Sequence, residues 1–107
     1  MKTQIRRAAS MAAYEEMLKQ ALYEVDDLRA AIEFDGESMS SSFPLLAPIE
    51  TELKALLKAI EEGSHQFSGQ DLAIMPLVKQ SHISMLPFKF LLTQINETHT
   101  QGLEEAD

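Results

Sequence analysis

A stripe of apolar residues between Met11 and Ile32 limits the folds open to this chain more than any other part of the sequence. Apolar residues recur there at intervals of three and four positions, and neither glycine nor proline interrupts them. This spacing places them on one face of a long amphipathic α-helix, whose apolar face must pack against another element or another molecule. The stripe consists of Met11, Tyr14, Leu18, Ala21, Val25, Leu28 and Ile32.

A second helix is predicted to begin near Pro48 and to end at Gly63. Proline suits the first turn of a helix, where its missing N–H breaks no hydrogen bond, and glycine favours the C-terminal end. Between these two residues, apolar side chains again recur every three or four positions. The serine-rich, polar stretch that precedes this helix predicts a connecting loop over residues 36–47.

The C-terminal third is less regular, because Pro76 and Pro87 interrupt its helical spacing. The pattern predicts two helices over residues 71–82 and 85–100, and the alternative is a single helix kinked at a proline. No segment alternates apolar and polar residues as a half-buried strand does.

The fold class predicted from these segments is all-α. We expect a small bundle of three to four helices, organised around the long N-terminal amphipathic helix, in a single domain over residues 1–107. Residues 1–10 are predicted to be a mobile basic arm, and residues 103–107 an acidic tail.

The charge balance disfavours nucleic acid as a partner. The formal net charge is −8, and an acidic surface repels phosphate backbones. The absence of cysteine excludes disulfides and thiolate metal sites, and it suits the reducing cytoplasm. No apolar run approaches the ~20 residues that a membrane-spanning helix needs. We therefore expect a soluble, cytoplasmic protein that does not associate with membranes.

The sequence contains no motif that is typical of an enzyme. It lacks a nucleophile elbow, a phosphate-binding loop and a dinucleotide-binding fingerprint. Its histidines, His65, His82 and His99, lie too far apart in sequence for the paired ligands of a helical metal site, and we interpret them as surface or boundary residues. We expect no catalytic residue, no cofactor and no metal. The alternative is an enzyme whose site is assembled from residues distant in sequence.

These observations favour a protein–protein interaction module, such as a small adaptor, regulator or assembly factor. Because symmetric dimers are the commonest oligomers, the apolar stripe from Met11 to Ile32 predicts a self-association face and a homodimer. Two alternatives stay open. The C-terminal helices can cover the stripe in a monomeric bundle, or a dimer can act as a nucleic-acid-associated regulator through the basic arm.

A second candidate surface is a groove for a helix of an unknown protein partner. Methionine side chains adapt to varied apolar partners, and aromatic side chains supply contact area. The alternative interpretation is that these residues fill the core. The groove is predicted from Met75, Met85, Phe88 and Phe90.

Overall fold

The computed structural model describes residues 6–35, 43–83 and 86–104. Within these residues all regular structure is helical, so the predicted all-α bundle around a long N-terminal helix is confirmed. None of the described helices is long and apolar enough to cross a membrane. In chain order the helices are α1 (Met11–Asp35), α2 (Phe43–Glu61), α3 (Met75–Gln80) and α4 (Lys89–Gln101).

The apolar stripe of α1 is the centre of the core. α1 begins where the Ser10 Oγ accepts a hydrogen bond from the Ala13 N–H at 3.0 Å, which is the usual cap of a helix N-terminus. From this start the apolar face packs against α2 and α4. The largest fully buried apolar side chains of these three helices are Tyr14, Leu18, Val25, Leu46, Ile49, Leu53, Leu92 and Ile95.

The second helix begins earlier than the sequence predicts. α2 starts at Phe43, so the loop predicted over residues 36–47 is wrong for its last five positions, and residues 36–42 lie outside the described part of the chain. Leu45 and Leu46 are buried in the core. Their burial adds a helical turn that the serine-rich sequence before them does not suggest, because tertiary packing supplies most of the stability of a helix in a protein.

Three prolines mark where the helices differ from prediction. Pro48 lies inside α2, not at its start. Pro76 opens α3, which is six residues long, so the helix predicted over 71–82 is much shorter. Pro87 precedes α4, so the start predicted for 85–100 is too early. The backbone of Ser81 is extended, with φ −80° and ψ 134°, so α3 ends there, and α3 and α4 are two helices rather than one kinked helix.

The stop signal predicted at Gly63 is confirmed, and a glycine also follows the last helix. Gly63 follows α2 with a φ of 74°, and Gly102 follows α4 with a φ of 85°. This left-handed backbone region favours glycine, which has no Cβ to clash there.

Polar side chains of α4 hold the non-helical segments on the bundle. The Asn96 Oδ1 accepts the Leu72 N–H at 2.8 Å, and the Asn96 Nδ2 donates to the Asp71 Oδ1 at 2.9 Å. The Thr98 Oγ1 accepts the Ala8 N–H at 3.0 Å. Asn96 and Thr98 are both buried. Buried polar groups in native proteins are normally hydrogen-bonded, and here these bonds position chain that has no helix of its own.

The expected mobile basic arm is not what the structure shows at residues 6–10. Ala8 is buried, and its carbonyl accepts the Glu104 N–H at 2.7 Å. Arg7 donates to the Gln101 Oε1 at 2.7 Å, and Arg6 lies 3.5 Å from the Glu104 carboxylate. The basic residues therefore contact the end of α4 and the chain that follows it.

An ion pair joins α1 to α2 at the edge of the core. The Arg29 Nη2 lies 2.9 Å from the Glu50 Oε1, and its Nη1 donates to the second oxygen at 3.4 Å. The hydrogen bond from Arg29 lowers the pKa of the Glu50 carboxyl below its ordinary value. A guanidinium that meets both carboxylate oxygens fixes orientation as well as distance, so this pair sets the position of α2 along α1.

Leu92→Ala tests the position of the core. Leu92 is fully buried, so truncation should lower the free energy of unfolding by about 2–5 kcal/mol, measured by urea denaturation. Phe34→Ala is the control, because the Phe34 side chain is 94% exposed, and it should change stability by less than about 0.5 kcal/mol. Equal losses in the two variants would show that the core is misplaced.

Candidate functional site

An open groove lies between α2 and the chain around the start of α3. Its volume is about 470 Å³, which is within the range of ligand-binding pockets in proteins. On the α2 side, Ala47, Thr51 and Ala55 follow one another at intervals of four residues, so they lie on one row of the helix. Most of the lining is apolar. The residues that line the groove are Ala47, Pro48, Thr51, Glu52, Ala55, Ala73, Ile74 and Leu77.

Glu52 is the charged residue of this lining. Its Oε1 accepts the backbone N–H of Ala73 at 3.1 Å, which ties the second wall of the groove to α2. Within the described residues Glu52 forms no ion pair, whereas Glu50 is paired with both Arg29 and Lys54. The groove therefore combines apolar walls with one carboxylate whose charge is not compensated.

A cluster of four rings lies where α1, α4 and the loop after α2 meet. Tyr14 comes from α1, His65 and Phe67 from the loop, and His99 from α4. The His65 ring centroid lies 5.4 Å from that of Tyr14, 4.8 Å from that of Phe67 and 5.9 Å from that of His99. The Ser68 N–H also donates to the His99 carbonyl at 3.0 Å, so the loop is attached to α4 at two neighbouring points.

Burial keeps the polar groups of this cluster neutral. The Tyr14 hydroxyl, the His65 Nε2 and the His99 Nδ1 are buried and have no hydrogen-bond partner among the described residues. Burial raises the pKa of Tyr14, and the nearby Glu52 carboxylate raises it further. Burial lowers the pKa of both histidines; His99 lowers that of His65 further, while Glu52 opposes the shift at His99. Glu52, which lines the groove, thus also influences the pKa values of Tyr14 and His99 in the cluster.

The described part of the chain offers no group of three histidine, aspartate or glutamate side chains placed to hold a metal ion. Two neighbouring imidazoles can take up protons, but the first positive charge disfavours the second. The cluster can thus respond to acid by taking up a proton.

The structure places the predicted self-association face inside one chain. Tyr14, Leu18, Ala21 and Val25 are fully buried, and Leu28 and Ile32 nearly so, while Met11 is half-buried. α2 and α4 cover this face, so it is not available to a second copy in this conformation. The physical reason is that α2 is longer than predicted and α4 supplies further cover. A homodimer stays a prediction, and it would need another surface.

The groove predicted from methionine and phenylalanine is also not assembled as expected. Met75 and Phe88 are buried in the core, and Phe90 is 48% exposed. Met85 lies outside the described residues. Periodicity alone cannot separate apolar residues that fill a core from those that line a surface, and here it assigned Met75 and Phe88 to the wrong environment.

Two features of the site were not found from the sequence. The four-residue spacing of the small residues on the outer row of α2 is visible in the sequence. The second wall of the groove, however, comes from an irregular segment. The pairing of His65 with His99 depends on how the loop after α2 folds back onto α4, and no local pattern encodes it. His82 is exposed and lies outside this cluster.

Comparison of the chain with protein families, with curated proteins and with solved structures finds no match.

The histidine pair predicts a loss of stability in mild acid. The pKa values of His65 and His99 are lowered by folding, so the unfolded chain binds protons first as the pH falls. The free energy of unfolding should therefore be highest near neutral pH and decrease as the pH falls below about 6.5, as measured by urea denaturation at several pH values. The lowered pKa values of Glu50 and Asp71 contribute only at lower pH.

The double variant His65→Gln, His99→Gln should flatten this dependence between about pH 7 and 5. His82→Gln is the matched control, since that side chain is exposed, and it should keep the wild-type slope. A double variant with an unchanged slope would assign the acid response to other groups.

Proposed function

We propose that this protein is a protein-interaction module without catalytic activity, and that it takes up a helix of a partner protein in the groove between α2 and the segment around Ala73–Leu77. The observation that supports the proposal is the groove itself, open along one side and lined mainly by small and apolar side chains. An amphipathic helix that places its apolar face in a hydrophobic groove is a recurrent mode of peptide recognition.

The shape of the groove suits a helix. Ala47, Thr51 and Ala55 have short side chains, so a second helix can approach α2 closely. Ile74 and Leu77 form the opposite wall and offer apolar contact to larger side chains of the partner. An open groove accepts a row of side chains from one helix face, whereas an enclosed cavity favours a small molecule.

The negative charge of Glu52 in the groove favours a partner that carries a positive charge. Glu52 lies among apolar neighbours with no ion pair in the described part of the chain. A lysine or arginine on the rim of the partner helix would compensate this charge, and an acidic residue at the same place would be repelled. We therefore expect a partner helix with an apolar face and a basic residue beside it.

The same observations give little support to an enzymatic function or to a nucleic-acid regulator. The groove lining includes one carboxylate and one hydroxyl, and neither histidine of the ring cluster belongs to it. Arg6 and Arg7 contact Glu104 and Gln101, which weakens the proposal of a nucleic-acid regulator that acts through a free basic arm. A chain without cysteine suits the reducing cytoplasm, and we propose that location.

Ala55→Tyr tests the proposal directly. Ala55 is exposed on the groove side of α2, so a tyrosine there fills the groove and leaves the core intact. The probe is a synthetic helical peptide with leucine on one face, glutamine elsewhere and one central lysine. Amide chemical shifts of the wild-type protein should change around the groove when the peptide is added, and the Ala55→Tyr variant should lose these changes.

Two further comparisons sharpen this test. Ala12→Tyr places the same side chain at an exposed alanine of α1 and should bind the peptide as the wild type does. Glu52→Gln should weaken binding of the lysine peptide by about two- to fivefold, which is typical of a partly exposed ion pair. In a lysate, a true partner should be retained by wild type and Ala12→Tyr but not by Ala55→Tyr. Equal retention by all three would contradict the proposal.

A further inference from the structure

The outward face of α1 exposes two aromatic side chains on one row. Tyr23 is 66% exposed and Phe34 is 94% exposed. The two residues are eleven positions apart, which is close to three full turns, so they lie on the same side of the helix about 16 Å apart along its axis. Ala30 lies on this row between them and is also exposed. The row lies opposite the stripe that α1 buries in the core.

Acidic residues flank this row. Asp26, Asp27 and Glu33 are exposed beside the two aromatic residues. Asp26 is 3.6 Å from Arg29, but Asp27 and Glu33 form no ion pair within the described residues. The cations of α1 are already paired: Lys19, one turn before Tyr23, lies 3.4 Å from Glu15, and Arg29 is turned to Glu50 on α2. The face thus combines exposed aromatic rings with a surplus of negative charge.

We infer that this outward face of α1 is a second binding surface, and that its occupant is a basic amphipathic helix of a partner protein. Aromatic side chains at the centre of a surface are frequent anchors of protein association. Complementary charge around such anchors increases the rate of association and excludes partners of the wrong sign. This inference does not rest on the groove, because the two surfaces share no residue.

The charge of the face excludes the other obvious occupants. A symmetric dimer through this row would bring the acidic flanks of two copies together, since the same patch faces itself across a two-fold axis. Nucleic acid and anionic lipid surfaces carry negative charge and would be repelled in the same way. A basic helix meets both the apolar row and the acidic flanks.

The test uses the full chain in the Ala55→Tyr background, in which the groove is blocked. The probe is a helical peptide of about 18 residues, with leucine along one face and lysine on both sides of it. Amide shifts should change along Tyr23–Phe34, and the affinity should fall as the salt concentration rises from about 50 to 500 mM. A peptide with glutamate in place of lysine should not bind.

Variants of exposed residues distinguish this surface from others. The double variant Tyr23→Ser, Phe34→Ser should weaken binding by about tenfold or more while its unfolding midpoint stays unchanged. Asp27→Asn with Glu33→Gln should reduce the salt dependence. Phe90→Ser is the control, because Phe90 is an aromatic residue on α4 that is 48% exposed and lies outside this face, and it should bind as the wild type does.

Several results would overturn the inference. They are no binding of the lysine peptide, equal binding of the glutamate peptide, and shifts that map away from α1. Sedimentation equilibrium supplies one more: a dimer of the protein alone that the Tyr23→Ser, Phe34→Ser variant dissociates would show that a second copy occupies the face. Because the groove is blocked throughout, none of these results depends on whether the groove binds a helix.

Discussion

The hydrogen bond from the Leu72 N–H to the Asn96 Oδ1 fixes the position of the irregular segment before α3, which local sequence patterns do not determine. The chain around Leu72 has no helix, and its backbone groups need partners once they are buried. Asn96 is itself buried in α4 and binds Asp71 with its other amide atom. Ala73 and Ile74 follow directly, so Asn96 on α4, together with Glu52 on α2, places the second wall of the groove.

α4 therefore does more than complete the core. Its apolar residues pack against α1, while Asn96 and the carbonyl of His99 bind the irregular segment between α2 and α3, and Thr98 binds the segment before α1. Each of these bonds joins residues far apart in sequence. Removing one partner of a buried hydrogen bond leaves the other unsatisfied, which costs about 1–3 kcal/mol. α4 thus holds the irregular segments of the chain on the bundle.

The contrast between α1 and the chain before α3 shows what sequence can predict here. The spacing from Met11 to Ile32 and the glycine at 63 are local signals, and they predicted a helix and a stop that the structure confirms. The helix turn at Leu45 and Leu46 depends on burial, and the segment at Leu72 depends on Asn96. The pairing of His65 with His99 likewise joins distant residues. No periodicity in one sequence encodes such contacts, so the candidate site was harder to predict than the fold.

The hydrogen bonds of Ala8 with Thr98 and Glu104 hold the segment before α1 against α4 and the segment that follows it. Bringing together residues that are 90 or more positions apart has a large cost in loop-closure entropy. Contacts of this kind tend to form after local helices have assembled. We therefore expect the segment before α1 to dock after the local helices have formed. Because Ala8 and Glu104 lie side by side, a short linker between these two residues, with the backbone opened instead at the exposed Gly63, would interrupt none of the described helices.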